Sequence, residues 1–299
     1  MRTVRRGSGT ALLAAALLAP VGPAGAQPGG ATAPPVAELA ALRTVVDGTG
    51  AVGTVLVYDL RRDRYHSVYA ERAHRRLIPA STFKIVNALA ALDAGVVAGP
   101  SSVIAWDGVT RDRTELNRDL DLQTAFRLSA VPHFRWLARR LGPGRLQGAV
   151  DALGYGNRDL GGGIDRFWLT GALRVSPAEQ IALLVRLRAD ALPFAPRTMA
   201  AVREMMVVER TPAWTIRAKT GWATNRPRDV GWWVGWVERG RDVYFFATAL
   251  EHAAPGPSFA ADRVRVTRRV LAELGALDAP TEPPTSVRSR RRSTAEEST

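Results

Sequence analysis

The 299-residue chain contains no cysteine, which excludes disulfides, thiolate metal sites and a cysteine nucleophile together. Lysine is almost absent as well: of 41 basic residues, only Lys84 and Lys219 are lysine and the rest are arginine. A coding bias toward arginine accounts for the majority but not for the two exceptions, unless those positions need what arginine cannot supply. A guanidinium stays charged at any working pH, whereas burial can neutralise a lysine amine and make it a base. The four histidines, His66, His74, His133 and His252, are scattered without ligand spacing, so no metal site is expected. No apolar run reaches the length of a membrane-spanning helix.

With 46% apolar residues the chain can bury a substantial core. Residues 1–26 read as an export signal: Arg2, Arg5 and Arg6 form the charged start, Ala11 to Ala19 the short apolar stretch, and Ala24-Gly25-Ala26 the cleavage site. A periplasmic or secreted protein, free of the membrane once the signal is removed, is therefore expected. Residues 27–35 read as a flexible lead-in, 36–277 as the folded catalytic body and 278–299 as a disordered tail. The net charge of +13 is spread thinly and partly sits in the signal and tail. No aromatic-basic stripe accompanies it, so nucleic acid is not an expected partner.

Val36 to Val46 has helical apolar spacing, and Gly53–Tyr58 with Tyr65–Tyr69 reads as a hairpin. Near the other end, Ile216–Lys219, Val230–Val237 and Val243–Ala249 read as strands, and Arg263–Leu274 as a closing helix. Residues 81 to 205 are mainly helical, with Ser176-Pro177-Ala178-Glu179 as a capping box. The fold class is α/β (α+β): an antiparallel sheet of five to seven strands flanked by N- and C-terminal helices, with a helical region inserted between its halves.

Pro79-Ala80-Ser81-Thr82-Phe83-Lys84 opens a predicted helix. The i, i+3 spacing puts the Ser81 hydroxyl and the Lys84 amine on one face. An unactivated serine is a poor nucleophile and needs such a base, and Phe83, Ile85 and Val86 would favour the neutral amine. Free amides at the helix start would also favour charge on an attacked carbonyl oxygen. Alone, this spacing equally fits a serine that merely caps a helix. Lys219-Thr220-Gly221, at the end of a predicted strand, is the companion found with Ser-x-x-Lys in penicillin-recognising serine enzymes.

The ordered set S-T-F-K (81–84), S-A-V (129–131), Y-G-N (155–157), F-W-L (167–169) and K-T-G (219–221) resembles the class D, oxacillinase-type, β-lactamases, and the similarity covers roughly residues 50 to 275. The fold implied is that of serine β-lactamases and penicillin-binding transpeptidases. By resemblance, Ser81 is the acylated nucleophile and Ser129 relays a proton to the leaving nitrogen. Lys84 is the base, carboxylated by carbon dioxide or bicarbonate, with no metal or organic cofactor. The resemblance has Trp168 hydrogen-bonding that carbamate, and Val131 and Leu169 shielding it. Lys219, Thr220 and Arg263 hold the substrate carboxylate, with Arg265 and Arg268 nearby leaving the register of that arginine open, and Gly221 lets substrate approach the backbone. Trp106 contacts substrate, the backbone amides of Ser81 and Trp222 form the oxyanion hole, and Tyr155 and Asn157 are structural. Trp232, Trp233 and Trp236 read as core packing.

The implied substrate is a β-lactam, with penicillins the expected class. The segment after K-T-G matches in length the loop of carbapenem-hydrolysing relatives. Its charges differ, and Thr170 stands where an acidic residue is expected. A D,D-peptidase shares S-x-x-K and K-T-G but not the F-W-L segment, and β-lactam sensor domains usually follow several transmembrane helices. The oligomeric expectation is a monomer or homodimer.

Overall fold

A computed structural model describes residues 36–224 and 227–278. The expected signal, the lead-in, the tail from residue 279 and the centre of the loop after K-T-G lie outside the described residues.

The elements in chain order are β1 (Val36–Glu38), α1 (Arg43–Asp47), β2 (Val52–Asp59), β3 (Arg64–Val68), α2 (Lys84–Asp93), β4 (Val103–Ile104), β5 (Leu120–Asp121), α3 (Leu122–Arg127), α4 (Val131–Leu153), α5 (Pro177–Arg188), α6 (Pro196–Met205), β6 (Val207–Arg210), β7 (Thr215–Ala223), β8 (Asp229–Arg239), β9 (Asp242–His252) and α7 (Phe259–Glu273). Seven strands form one sheet in the order β1-β3-β2-β9-β8-β7-β6. Both chain ends build it, because β2 from the first half pairs antiparallel with β9 from the last, Val55 opposite Thr248.

The expected N-terminal helix starts late: a 3-10 turn at Ala40–Leu42 leads into α1, and the first residues of the segment form a strand instead. Val36–Glu38 pairs parallel with β3, so the sheet is antiparallel except at this edge, and only Arg43–Asp47 is α-helical. Backbone pairing with an open strand edge outweighs helical spacing in so short a segment, which lacks a side-chain cap. The hairpin and closing helix lie where the spacing places them. Strand β6 carries no clear alternation and is visible only in the fold.

Alternation divides the core between the two faces of the sheet. Trp232, Val234 and Trp236 point into the helical region with α2, α5 and α6, whereas Trp233 and Val237 point toward α1 and α7. The three tryptophans are thus core residues, on opposite faces. Gly235 between them is forced by close approach, since a Cβ there would lie 2.1 Å from the Arg217 carbonyl oxygen. Ser176 accepts from Glu179 N and Glu179 caps it in return, so the predicted capping box is present at the start of α5.

Candidate active site

Ser81 does not open an α-helix as its spacing suggests. It lies on a single 3-10 turn, Ala80–Phe83, and α2 begins at Lys84. Residues three apart nearly eclipse in that geometry, and the Lys84 Nζ lies 2.6 Å from Ser81 Oγ. No side chain caps the turn, so the capping alternative for Ser81 finds no support. Ala80, just before it, adopts φ +50°, an uncommon conformation for a residue with a Cβ.

Lys84 is fully buried, and its amine sits 5.4 Å from the centroid of the Phe134 ring. Loss of water drives its pKa well below that of an ordinary lysine, and the charges of Lys219, Arg113 and Arg135 push in the same direction. Such a shift favours the neutral amine, the form that could accept the Ser81 proton.

Ser129 links α3 to α4 with φ +56°, held there by the Arg113 guanidinium, which donates to Leu128 O at 3.0 Å. Lys219 Nζ donates to Ser129 Oγ at 3.0 Å and to the carbonyl of Thr220. Burial lowers the Lys219 amine to about 7, with Arg263 and Arg113 adding to the effect. Hence S-x-x-K, S-A-V and K-T-G meet in one place, as the sequence motifs require.

K-T-G stands within β7, not at its end, because the strand runs on to Ala223. Its glycine has a structural reason: a Cβ on Gly221 would lie 3.0 Å from Pro79 O and 3.2 Å from Thr82 N, so β7 backs directly onto the Ser81 turn. The Ala218 amide donates to Met206 O, away from β8. By alternation the Thr220 and Trp222 amides point to that same edge, beyond Val207–Arg210, where β6 pairs. The Trp222 N–H thus faces out from β7, past the end of β6. The Trp222 side chain is partly exposed and donates to Asp229 Oδ2 at 2.8 Å.

Of the three arginines, Arg263 is the one that α7 places against K-T-G. Arg263 is buried and donates to the Gly221 carbonyl at 2.7 Å, 5.8 Å from the Trp222 ring. Arg265 pairs with Asp262 and Arg268 with Glu209 instead. Burial lowers the Arg263 pKa to about 10.

Trp168 is fully buried and stacks on Phe83, the neighbour of Lys84, at 5.6 Å. Its indole N–H has no hydrogen-bond partner among the described residues, which is uncommon for a buried donor. A buried amine with a lowered pKa and an unmatched buried N–H donor are the two features a lysine carbamate would require, so these residues fit that group. Val131 and Leu169 are each half-buried, one at the start of α4 and the other directly after Trp168. Thr170 beside them is exposed.

The Asn157 side chain donates to Ala172 O at 2.9 Å and accepts from Arg174 N at 2.8 Å, closing the loop that presents Trp168. Gly156, with φ +56°, allows this contact, because a Cβ would strike the Arg174 carbonyl. Tyr155 packs edge-on against Phe83. Trp106 lies on the 105–119 loop, its amide bonded to Asp119 and its indole to Val109 O at 3.0 Å, and neither bond reaches Ser81 or Lys219.

Two features escaped sequence reasoning. Arg113 supplies charge to both lysines and supports the Ser129 turn, yet looks like one arginine among many. Gln180 is fully buried and bonded to Thr82; its signal is a polar residue on an apolar helix stripe.

Comparisons with known proteins agree with this geometry. A family model described as penicillin binding protein transpeptidase domain matches residues 51–272. Beta-lactamase OXA-48 of Klebsiella pneumoniae is 39% identical over 219 residues, 73% of this chain and 82% of that protein. The crystal structure of the class D β-lactamase YbXI from Nostoc is 40% identical, with a TM-score of 0.76, covering 79% of this chain and 99% of that one. The class D enzyme FUS-1 of Fusobacterium nucleatum subsp. polymorphum is 33% identical, with a TM-score of 0.77 over 80% of this chain and 99% of its own. The chain belongs to the class D β-lactamases, within the penicillin-binding transpeptidase fold family.

Proposed function

We propose that the protein hydrolyses penicillins through an ester on Ser81, with Lys84 as the base in both halves of the reaction. The observation that carries this reading is the 2.6 Å contact between Lys84 Nζ and Ser81 Oγ, made by an amine whose pKa burial lowers. Carbapenems are a secondary expectation, because Thr170 offers no carboxylate to tie down the loop after K-T-G.

The steps follow from the placement of charge. Lys219 and Arg263 attract the substrate carboxylate. Lys84 takes the Ser81 proton as Oγ attacks the lactam carbonyl, and the amides of Ser81 and Trp222 stabilise the oxyanion. As the C–N bond breaks, the Ser129 hydroxyl gives its proton to the nitrogen and is replenished by the Lys219 ammonium. The Lys84 ammonium passes that proton through solvent to the now neutral Lys219, which restores both groups; water then attacks the ester while Lys84 removes its proton, and Ser81 leaves with that proton returned. A carbamate on Lys84 would supply two acceptor oxygens in place of one nitrogen, enough to hold Ser81 and a water together. Trp168 can orient that group through its unmatched indole N–H, and Val131 and Leu169 limit the water that reaches it.

The test is turnover of a penicillin with and without added bicarbonate, with mass measurement of the protein during reaction. Rapid turnover that rises with bicarbonate, with a transient adduct on Ser81, is expected. A permanent adduct without turnover would overturn the hydrolytic reading.

A further inference from the structure

The Ser81 turn has little local support. It is a single 3-10 turn without a capping side chain, it begins with Ala80 at positive φ, and β7 presses on it through Gly221. Something must hold it against that strand from the other side.

Helix α5 does so through one polar side chain. Gln180 shares the buried stripe of α5 with Ile181, Leu184 and Leu187, where the helical period calls for an apolar residue. Its Nε2 donates to Thr82 Oγ1 at 2.8 Å, and that hydroxyl donates to Pro79 O at 2.7 Å. The Thr82 amide donates to the same carbonyl at 3.2 Å. This chain of bonds ends on residues on both sides of Ser81. Among the described residues Gln180 Oε1 has no hydrogen-bond partner of good geometry, and the buried Tyr155 phenol stands close to both Thr82 and Gln180. A buried amide so incompletely matched costs stability, which a leucine at this position would avoid.

We propose that Gln180 is a positioning residue for the reaction: acting through Thr82, it fixes the Ser81 turn so that the hydroxyl faces Lys84 and the amide faces the edge of β7. The inference rests on the reading of Ser81 as the nucleophile. Gln180 itself need not touch substrate.

Three substitutions test it, read as the rate of Ser81 acylation by a penicillin in rapid-mixing mass measurements. Gln180→Met keeps the volume and removes the donor; acylation is expected to fall about 10- to 100-fold, the scale of small misplacements of a reacting group. Gln180→Glu gives a readout that a merely structural role would not move. A protonated carboxyl can donate to Thr82 as the amide does, whereas a carboxylate accepts from the Thr82 hydroxyl and draws it off Pro79. A buried carboxyl titrates above its usual range, so this variant recovers acylation as the pH falls, along a limb absent from the native profile. Thr82→Ser, which keeps the hydroxyl, retains most of the native rate, and Thr82→Val matches Gln180→Met without adding to it in the double variant.

Native acylation rates in folded Gln180→Met and Thr82→Val, or a Gln180→Glu profile superimposed on the native one, would overturn the proposal. If Gln180→Met fails to fold, the Gln180→Glu profile and the Thr82 pair decide it. Ser81→Ala separates the two levels: an adduct that persists there removes the nucleophile reading. Loss of the adduct there, with native rates in the Gln180 variants, removes only the role of Gln180.

Discussion

The Lys219 ammonium donates to Ser129 Oγ at 3.0 Å, joining K-T-G to S-A-V across the site. With its amine lowered to about 7, chiefly by burial, Lys219 is charged below that pH and neutral above it. Its attraction for a substrate carboxylate is therefore present at low pH and lost as the pH rises through about 7. We expect kcat/KM for a penicillin to fall about 10-fold or more across that limb, the worth of one charge-assisted hydrogen bond. The matching limb in kcat lies higher, because bound carboxylate favours the ammonium. The sign for stability is the reverse. Between pH 7 and the unfolded value of 10.5 the unfolded chain holds more protons at this position, so folding stability from Lys219 rises with pH. Thermal melts of native and Lys219→Met across this window check both limbs.

Lys84→Ala and Lys84→Arg should both lose turnover by about 10²- to 10⁴-fold, the usual contribution of a general base. Arginine fails despite its size because it cannot be neutralised. Both can be followed by steady-state hydrolysis, with circular dichroism reporting the fold. Near-native turnover in either variant removes Lys84 as the base.

Trp168→Phe keeps an aromatic ring against Phe83 and removes only the indole N–H and its extra ring. That N–H lacks a partner among the described residues, so in bicarbonate-free buffer the loss of hydrogen bonding costs no stability. With bicarbonate present, the acyl-enzyme should persist longer in the variant, and adding more bicarbonate should not restore native turnover. Pre-steady-state burst amplitudes measure this directly.

Gly221→Ala places a Cβ 3.0 Å from Pro79 O. Either β7 or the Ser81 turn must shift, at a cost of about 1–3 kcal/mol in stability. A denaturant midpoint lowered accordingly, together with a kcat loss beyond what the unfolded fraction explains, is the expected result.

Among the arginines of α7, only Arg263 meets β7. Arg263→Ala should raise KM for penicillins about 10- to 100-fold, whereas Arg265→Ala, which removes a half-exposed partner of Asp262, should leave KM unchanged. Steady-state kinetics of the two variants, side by side, tests the assignment.

Much of this protein is legible in its sequence because the signals are local. The hairpin of β2 and β3, strands β7 to β9, the capping box at Ser176 and the motifs at Ser81, Ser129 and Lys219 each depend on residues adjacent or one turn apart. The scarcity of lysine already singled out two positions, and both prove to be buried amines. What only the tertiary structure decided are matters of burial and of distant neighbours. Val36–Glu38 became a strand because β3 offered it an edge. The pKa of Lys84 is lowered because Phe134 and surrounding chain remove water from it, and Arg263, not Arg265, lies on the face that α7 turns toward Gly221. Gln180 acquired a partner 98 residues away in Thr82. No local period encodes such contacts, since they arise only when the helical insert closes onto the sheet.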